Sequence, residues 1–475
     1  MGLPVISIAQ MREWEKATWA SGQTEAEVIR RVGKEVARCA MALTKPGDLV
    51  LILAGMGHNG EDACCARNHL EGRRVNVLEI TDPTVALGPL EAELSLRPGL
   101  IIDGLFGIGL NRKLSPDWIE LIDRVNQAQL KVLAVDTPSG LNGDSGEPEG
   151  ASIRAFLTLT VGAPKQGLLK EPAWAYVGRL EVTADVGLVA CNQTSELQWT
   201  LESDFAGFPL ERAVATHKGT YGHLAILAGS LGYHGAAVLA ARGAQRAQPG
   251  LITLYPMQEV YPVVASQLQA VMVSPWKPES SLLEGMTGLV IGPGLAAPSV
   301  PDDVKSLVRD QWNRSMLPML VDASALVWLP AGSIATKALR VITPHPGEAA
   351  RLLGSSAKEI QADRLRSLRE LSQRYGNTWV VLKGHQTLIG RSSGEIYVNT
   401  TGNPHLAQGG SGDVLSGFLG GLLAQPALTA VPHKTIPYAV WQHGAAADYL
   451  QAARPNWVVE DLVEQLGRRD GRQSL

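Results

Sequence analysis

Three glycines, a serine and an aspartate run together at Gly409-Gly410-Ser411-Gly412-Asp413, and apolar residues follow at Val414, Leu415, Phe418, Leu419, Leu422 and Leu423. Spacings of three and four residues make the stripe of an amphipathic helix. The glycines therefore predict a tight turn that feeds a helix N-terminus. Backbone N–H groups there have no intrahelical acceptor, and the helix dipole favours negative charge in front of them. Moving a phosphoryl group requires fixed donors of this kind. Asp413, at the lip, is the right type of residue to take a proton from a substrate hydroxyl. The same residues also fit a plain glycine turn, with Asp413 as a first-turn helix charge.

Such a turn must be positioned by other elements. Short apolar runs recur along the chain, each ending in a glycine- or aspartate-rich loop. In the first half they are Leu49–Ala54, Val75–Ile80, Leu100–Asp103, Val132–Asp136 and Leu157–Val161. In the second half they are Leu224–Ala228, Leu251–Tyr255, Leu289–Ile291, Met319–Asp322, Val341–Ile342 and Trp379–Leu382. Runs that are apolar throughout suit strands buried on both faces of a parallel sheet. Helical patterns separate them, as at Trp118–Val125, Ala236–Ala247 and Ala362–Tyr375. A chain of 475 residues is too long for one core. Two α/β units are predicted, with the boundary in the polar region Cys191–Arg212 and no strong strand signal from there through Gly222.

In open parallel sheets ligands bind beyond the carboxyl ends of the strands. Those positions in the second half carry Gly292-Pro293-Gly294-Leu295, Asp322-Ala323-Ser324-Ala325, Thr343-Pro344-His345-Pro346-Gly347-Glu348 and Lys383-Gly384-His385-Gln386-Thr387. With the turn before Asp413 they make five loops on one edge, able to converge on one cleft.

Bulk composition excludes several classes. Hydrophobic residues are 45% of the chain and charged residues 19%, which suits a globular protein. The formal net charge is -4 with no Lys/Arg block, so neither nucleic acid nor an anionic membrane is an expected partner. The four cysteines form no CxxC pair and no zinc spacing, so reduced thiols are expected. Met1 to Gln10 lacks the pattern of a signal peptide, and the longest apolar runs are strand-length. A cytoplasmic location is expected.

The second half resembles the ADP/ATP-dependent NAD(P)H-hydrate dehydratases, which are ribokinase-like. The resemblance rests on Gly222–Gly229, Ile291–Gly294, Thr343–Glu348, Val381–Gly384, and Asn403-Pro404 followed by Gly409–Gly417, and runs from about Thr216 to Leu450. It implies that a nucleotide phosphorylates the hydroxyl of a hydrated nicotinamide and that phosphate then leaves. By the family pattern Asp413 is the base. Gly294, His345 and Asp413 contact the hydrated cofactor, with Ala237 near the start of a helix used for the same ligand. Lys383, Gly384, His385, Gln386, Thr387 and Gly412 hold the adenine nucleotide, which brings Mg2+.

The first half carries Gly55-Met56-Gly57-His58-Asn59-Gly60-Glu61-Asp62, then Asp103-Gly104-Leu105-Phe106-Gly107-Ile108-Gly109, then Asp136-Thr137-Pro138-Ser139-Gly140, then Gly162–Leu168. In that order they resemble the NAD(P)H-hydrate epimerase domain, from about Ile8 to Val186. The resemblance implies that His58, Asn59, Gly60, Glu61, Asp62, Gly107, Ile108, Gly109, Leu110, Asn111, Arg112, Lys113 and Asp136 bind the hydrated cofactor. It implies potassium (K+) at Asn59, Asp103 and Ser139, and a proton-moving role for Asp136. His58 and Glu61 depart from the family pattern. Glu61 would repel a pyrophosphate unless it turns outward on the first helical turn.

The expectation is therefore α/β with two domains. The first, 1-205, is an N-terminal Rossmann-like three-layer sandwich and the epimerase. The second, 206-475, is a C-terminal ribokinase-like three-layer α/β/α domain and the ADP-dependent dehydratase. The implied substrates are hydrated NADH and NADPH (NADHX and NADPHX) with ADP, handled by a homo-oligomer. The competing reading is a ribokinase-like kinase of a small vitamin-precursor alcohol, with a non-catalytic N-terminal domain.

Overall fold

The computed structural model describes residues 2–278 and 284–467. The chain divides into two compact units between Glu196 and Leu197. After the short β1 (Leu3–Pro4), the first unit carries β2 (Leu49–Ala54), β3 (Arg74–Glu79), β4 (Leu100–Gly104), β5 (Val132–Val135), β6 (Leu157–Val161) and β7 (Arg179–Thr183). The last six form one sheet in the order β3-β2-β4-β5-β6-β7, with every neighbour parallel.

Both faces of that sheet are covered, which explains the unbroken apolar runs. Side chains alternate across a strand. Val50 and Ile52 of β2 join a core with Val28, Val32 and Val36 of the helix Glu25–Leu43. Leu51 and Leu53 of the same strand face Leu121, Ile122 and Val125 of the helix Pro116–Gln127.

The second unit carries β8 (Leu197–Trp199), β9 (His223–Leu227), β10 (Leu251–Tyr255), β11 (Met272–Val273), β12 (Gly288–Ile291), β13 (Met319–Val321), β14 (Arg340–Ile342), β15 (Trp379–Leu382), β16 (Leu388–Gly390) and β17 (Ile396–Val398). Its sheet runs β8-β17-β16-β15-β14-β13-β12-β9-β10-β11. Among the described strands from β8 to β11 in that order, only β16 is antiparallel to its neighbours. The strands β12, β13, β14 and β15 are adjacent and parallel, so their carboxyl ends share one edge.

Two expectations are corrected. The region 197–205, given to the first domain by the 1-205 division, belongs with the second unit: β8 pairs with β17, Leu197 opposite Ile396 and Trp199 opposite Val398. The helix expected over Ala362–Tyr375 is present but starts later, at Arg364, and runs to Arg374: the preceding helix ends at Ala362, and the side chain of Asp363 caps the new one by accepting from Arg366 N. No helix among the described residues is long and apolar enough to cross a membrane.

The helix Ser411–Leu423 packs unusually close to the helix His234–Ala247. A Cβ placed on Gly417 would lie 1.8 Å from the Ala240 carbonyl oxygen, and one on Gly243 would lie 2.3 Å from the Val414 carbonyl oxygen. Glycine is needed at these contacts because backbone meets backbone. Gly417→Val should therefore destabilise the second unit by about 1–3 kcal/mol or more, the usual cost of overpacking. The urea midpoint for loss of that unit's activity reads the effect, and an unchanged midpoint would refute it.

Candidate active sites

In the second unit, the edge formed by β12–β15 brings the expected loops together. Asp322 follows β13 directly and is buried. It accepts a hydrogen bond from Lys383 Nζ at 2.9 Å and from Ser416 Oγ at 2.5 Å. Lys383 follows β15, and its ammonium also lies 3.7 Å from Glu348 Oε2. Glu348 is anchored by a capping box at the start of the helix Pro346–Leu353. Its carboxylate accepts from His345 N at 2.8 Å, while His345 Nδ1 accepts from Gly347 N at 3.0 Å.

The glycine turn closes over this cluster. Gly410 has φ +98°, a conformation glycine adopts without steric cost, and the helix begins at Ser411. A Cβ on Gly412 would lie 3.4 Å from Lys383 Nζ, so the first helical turn sits against the ammonium. Asp413 joins the same group. Burial pushes its carboxyl up to about 7, and the nearby charges of Asp322 and Glu348 push the same way while Lys383 opposes them. Burial acts to raise Asp322 as well, but Lys383 and the Ser416 hydroxyl hold it below the usual carboxylate range. The pair thus differs: Asp322 stays ionised, and Asp413 is poised to gain or lose a proton near neutrality.

The other expected residues fall around this centre. Gly294 has φ +66°, and a Cβ there would meet the Tyr233 carbonyl oxygen at 2.5 Å. Its own carbonyl accepts from Ser230 Oγ at 2.6 Å. Ala237 is fully buried, with a Cβ on Gly229 2.7 Å from its methyl, so it shapes the turn and offers no exposed side chain. Gly384, His385, Gln386 and Thr387 form the turn after β15, closed by Thr387 Oγ1 donating to the Gly384 carbonyl at 3.0 Å. Lys383 points away from that turn into the carboxylate cluster.

The first unit holds a cavity of about 850 Å³. His58, Asn59, Asp62, the whole stretch 107–113 and Asp136 line it, with Met11, Glu15, Trp19 and Trp118. Gly60 and Glu61 do not. A Cβ on Gly60 would lie 2.0 Å from the Gly55 carbonyl oxygen, so glycine lets the loop close on itself. Glu61 is exposed on the first turn of the helix His58–Ala66, outside the cavity lining.

Asn59, Asp103 and Ser139 meet around the Phe106 carbonyl. Asn59 Nδ2 donates to it at 2.9 Å and Ser139 Oγ at 3.3 Å. Asp103 is completely buried, accepting from Ser139 Oγ at 2.6 Å and Ser139 N at 2.8 Å. Burial pushes Asp103 up to about 6 against those bonds. Asn59 Oδ1 is buried with no hydrogen-bond partner. An unpaired buried oxygen beside two other oxygens fits a hard monovalent cation.

Asp136 adopts φ +64° and is gripped by Lys165, whose Nζ donates to Oδ1 at 2.5 Å. Lys165, Asp322 and Ser416 lie in segments the sequence singles out, but the sequence assigned none of them a role of its own. Lys165 lies in the Gly162–Leu168 segment and Asp322 ends an expected strand, so the signals were a polar residue in a small-residue loop and an acid at a strand end.

Fold and sites together define an α/β enzyme whose second unit is arranged for phosphoryl transfer. Comparison with known proteins is specific. Residues 224–467 match the NAD(P)H-hydrate dehydratase family model, and residues 80–167 match that of the YjeF-related protein N-terminus. The chain is 34% identical over 468 residues to the bifunctional NAD(P)H-hydrate repair enzyme Nnr of Coxiella burnetii, covering 92% of this chain and 93% of that one. It is 32% identical over 462 residues to the enzyme of that name from Escherichia coli, covering 91% and 86%. A ribokinase-like superfamily protein from Enterococcus faecalis superposes with TM-score 0.50 and 23% identity, covering 58% of this chain and 95% of that one. The Bacillus subtilis ADP/ATP-dependent NAD(P)H-hydrate dehydratase, co-crystallised with ATP and Mg2+, is 32% identical, with TM-score 0.47 over 54% of this chain and 91% of that one. The chain belongs to the family of bifunctional NAD(P)H-hydrate repair enzymes.

Proposed function

We propose that the chain repairs hydrated NADH and NADPH in two steps. The unit ending at Glu196 interconverts the R and S hydrates. The unit beginning at Leu197 dehydrates the S hydrate with ADP, giving AMP, phosphate and the restored dinucleotide. The observation that carries this reading is Asp413, a carboxyl that burial pushes up to about 7, at a glycine-turned helix start whose first turn sits against the Lys383 ammonium.

Asp413 takes the proton of the substrate hydroxyl as its oxygen bonds to phosphorus. Backbone amides of Gly410 to Asp413 and the Lys383 ammonium stabilise charge on the moving phosphoryl group. Asp322 and Glu348 hold that ammonium in place. Among the described residues no group of three acidic, His or Cys side chains stands ready for a metal. Mg2+ would arrive on the nucleotide phosphates and would neutralise their charge there. In the first unit Asn59, Asp103 and Ser139 would hold K+, which would supply a fixed positive charge behind the loop of Phe106. The substrates are dissolved dinucleotides, so we place the protein in the cytoplasm.

The test is to give the purified chain hydrated NADH with ADP or ATP and follow the dihydronicotinamide absorbance. Recovery of absorbance with equimolar free phosphate is expected. Accumulation of a stable phosphate ester would instead establish a small-molecule kinase.

The second unit has its own sheet and its own carboxylate cluster. A chain beginning at Leu197 should fold and dehydrate the S hydrate without the first unit. Insolubility across several start points near Leu197 would count against this independence.

A further inference from the structure

Three donors converge on one oxygen of Asp136. Besides Lys165 Nζ, Oδ1 accepts from Val161 N at 3.0 Å and Thr160 Oγ1 at 3.2 Å. Lys165 is completely buried, and its remaining donors go to Thr160 Oγ1 at 3.1 Å and the Val161 carbonyl at 2.8 Å. A carboxyl held by an ammonium and two further donors is fixed in direction. Asp62 lines the same cavity and is in the opposite condition. It is nine-tenths buried, and its Oδ1 has no hydrogen-bond partner. Burial raises this carboxyl well above its usual range; the charges of Asp136, Glu61 and Glu15 add to that, and Lys165 opposes it. A buried acid without a partner is unusual unless it has a use.

We propose that the cavity inverts its substrate by loss and re-addition of water between these two groups, with Asp62 as the acid, Asp136 as the base and Lys165 as the residue that positions Asp136. The proposal rests on the epimerase reading above and assigns its chemistry. Dihydronicotinamide is an enamine, so water adds with its hydroxyl on the carbon bonded to nitrogen. Inverting that carbon requires its C–O bond to break. The Asp62 carboxyl gives its proton to the hydroxyl, water departs with the C–O electron pair, and the ring nitrogen lone pair forms a C=N bond. A water then attacks the opposite face, its electron pair makes the new C–O bond, and its surplus proton passes to Asp136. Composition is unchanged and configuration is inverted. Asp62 has lost a proton and Asp136 has gained one, and exchange with solvent in the cavity restores both.

The charged groups that act on Asp62 besides Asp136 are Glu61, Glu15 and Lys165, with His58 and Arg12 acting on Glu15. The kcat/KM for inversion should therefore fall at high pH as Asp62, which burial keeps protonated, loses its proton.

The experiment uses the full chain with purified R hydrate in H2-18O, read by mass spectrometry. Each inversion should place one solvent 18O in the product, faster than the spontaneous reaction. Asp62→Asn should lower kcat for inversion by about 10² or more and remove the alkaline limb. Lys165→Met should lower kcat for inversion with KM little changed, and Lys165→Arg should restore part of the rate, a pattern that a merely structural role would not produce. Inversion without label overturns the proposal, and so does an Asp62→Asn chain that inverts at the original rate. The label arm needs no variant. If the unaltered chain does not accelerate inversion at all, the epimerase reading itself falls and takes the proposal with it.

Discussion

An Asp413→Asn chain should fold and bind nucleotide at least as tightly as the unaltered chain, yet turn over the S hydrate about 10²–10⁴ times more slowly, the usual size of a general-base contribution. Asparagine has the same shape as aspartate, and it removes a charge that Asp322 and Glu348 repel. Stability should therefore not fall. The pH dependence has a fixed sign. The base works only when ionised, and its carboxyl is pushed up to about 7. Turnover of the unaltered chain should rise with pH through neutrality and level off above it. Near-normal turnover by the folded variant, or a profile flat from pH 6 to 8, would remove Asp413 from the mechanism.

Asp103→Ala should abolish the potassium-dependent share of R-hydrate consumption while dehydration of the S hydrate continues. Asp103 is completely buried and takes two hydrogen bonds from Ser139, one from Oγ and one from N. Alanine leaves those donors unpaired and removes an oxygen from the group around the Phe106 carbonyl. The measurement compares NADH restored from a mixture of R and S hydrates by the full chain and by the second unit alone, over times short enough to subtract spontaneous epimerisation. Equal restoration by both, with the unaltered sequence, would make the first unit a catalytically silent scaffold.

Much of the architecture was legible because burial on both faces leaves a plain mark. Leu49–Ala54 and Trp379–Leu382 are apolar at every position and stand where expected. Short strands carry no such mark. Leu197–Trp199 and Leu388–Gly390 have three residues each, too few for a period to show, and their identity comes from pairing with distant segments. The break at Asp363 was hidden because the apolar spacing continues across it; only the capping bond reveals it. The sites divide in the same way. Asp413 and the glycine turn form a contiguous motif and could be read directly. The bond from Lys383 to Asp322 spans 61 positions and exists because β13, β14 and β15 lie side by side, which sequence spacing cannot display. Lys165 and Asp136 likewise meet across 29 positions. Glu61, expected among the cofactor contacts, is instead exposed on the first helical turn and outside the cavity lining, because its position along the helix decides which way it faces.

The cluster beneath the glycine turn holds three carboxyls, Asp322, Glu348 and Asp413, against one ammonium, Lys383. With Asp413 ionised, the excess negative charge opposes an incoming anion; with Asp413 protonated, one unit of that opposition disappears. Proton uptake and occupancy of the turn are therefore thermodynamically linked, each favouring the other by the same factor. The base is emptied most readily when no phosphoryl group is near and filled most readily when one arrives. The same electrostatic balance that makes Asp413 a base thus acts as a timer, tying the moment of deprotonating the substrate to the moment the phosphoryl group is in reach.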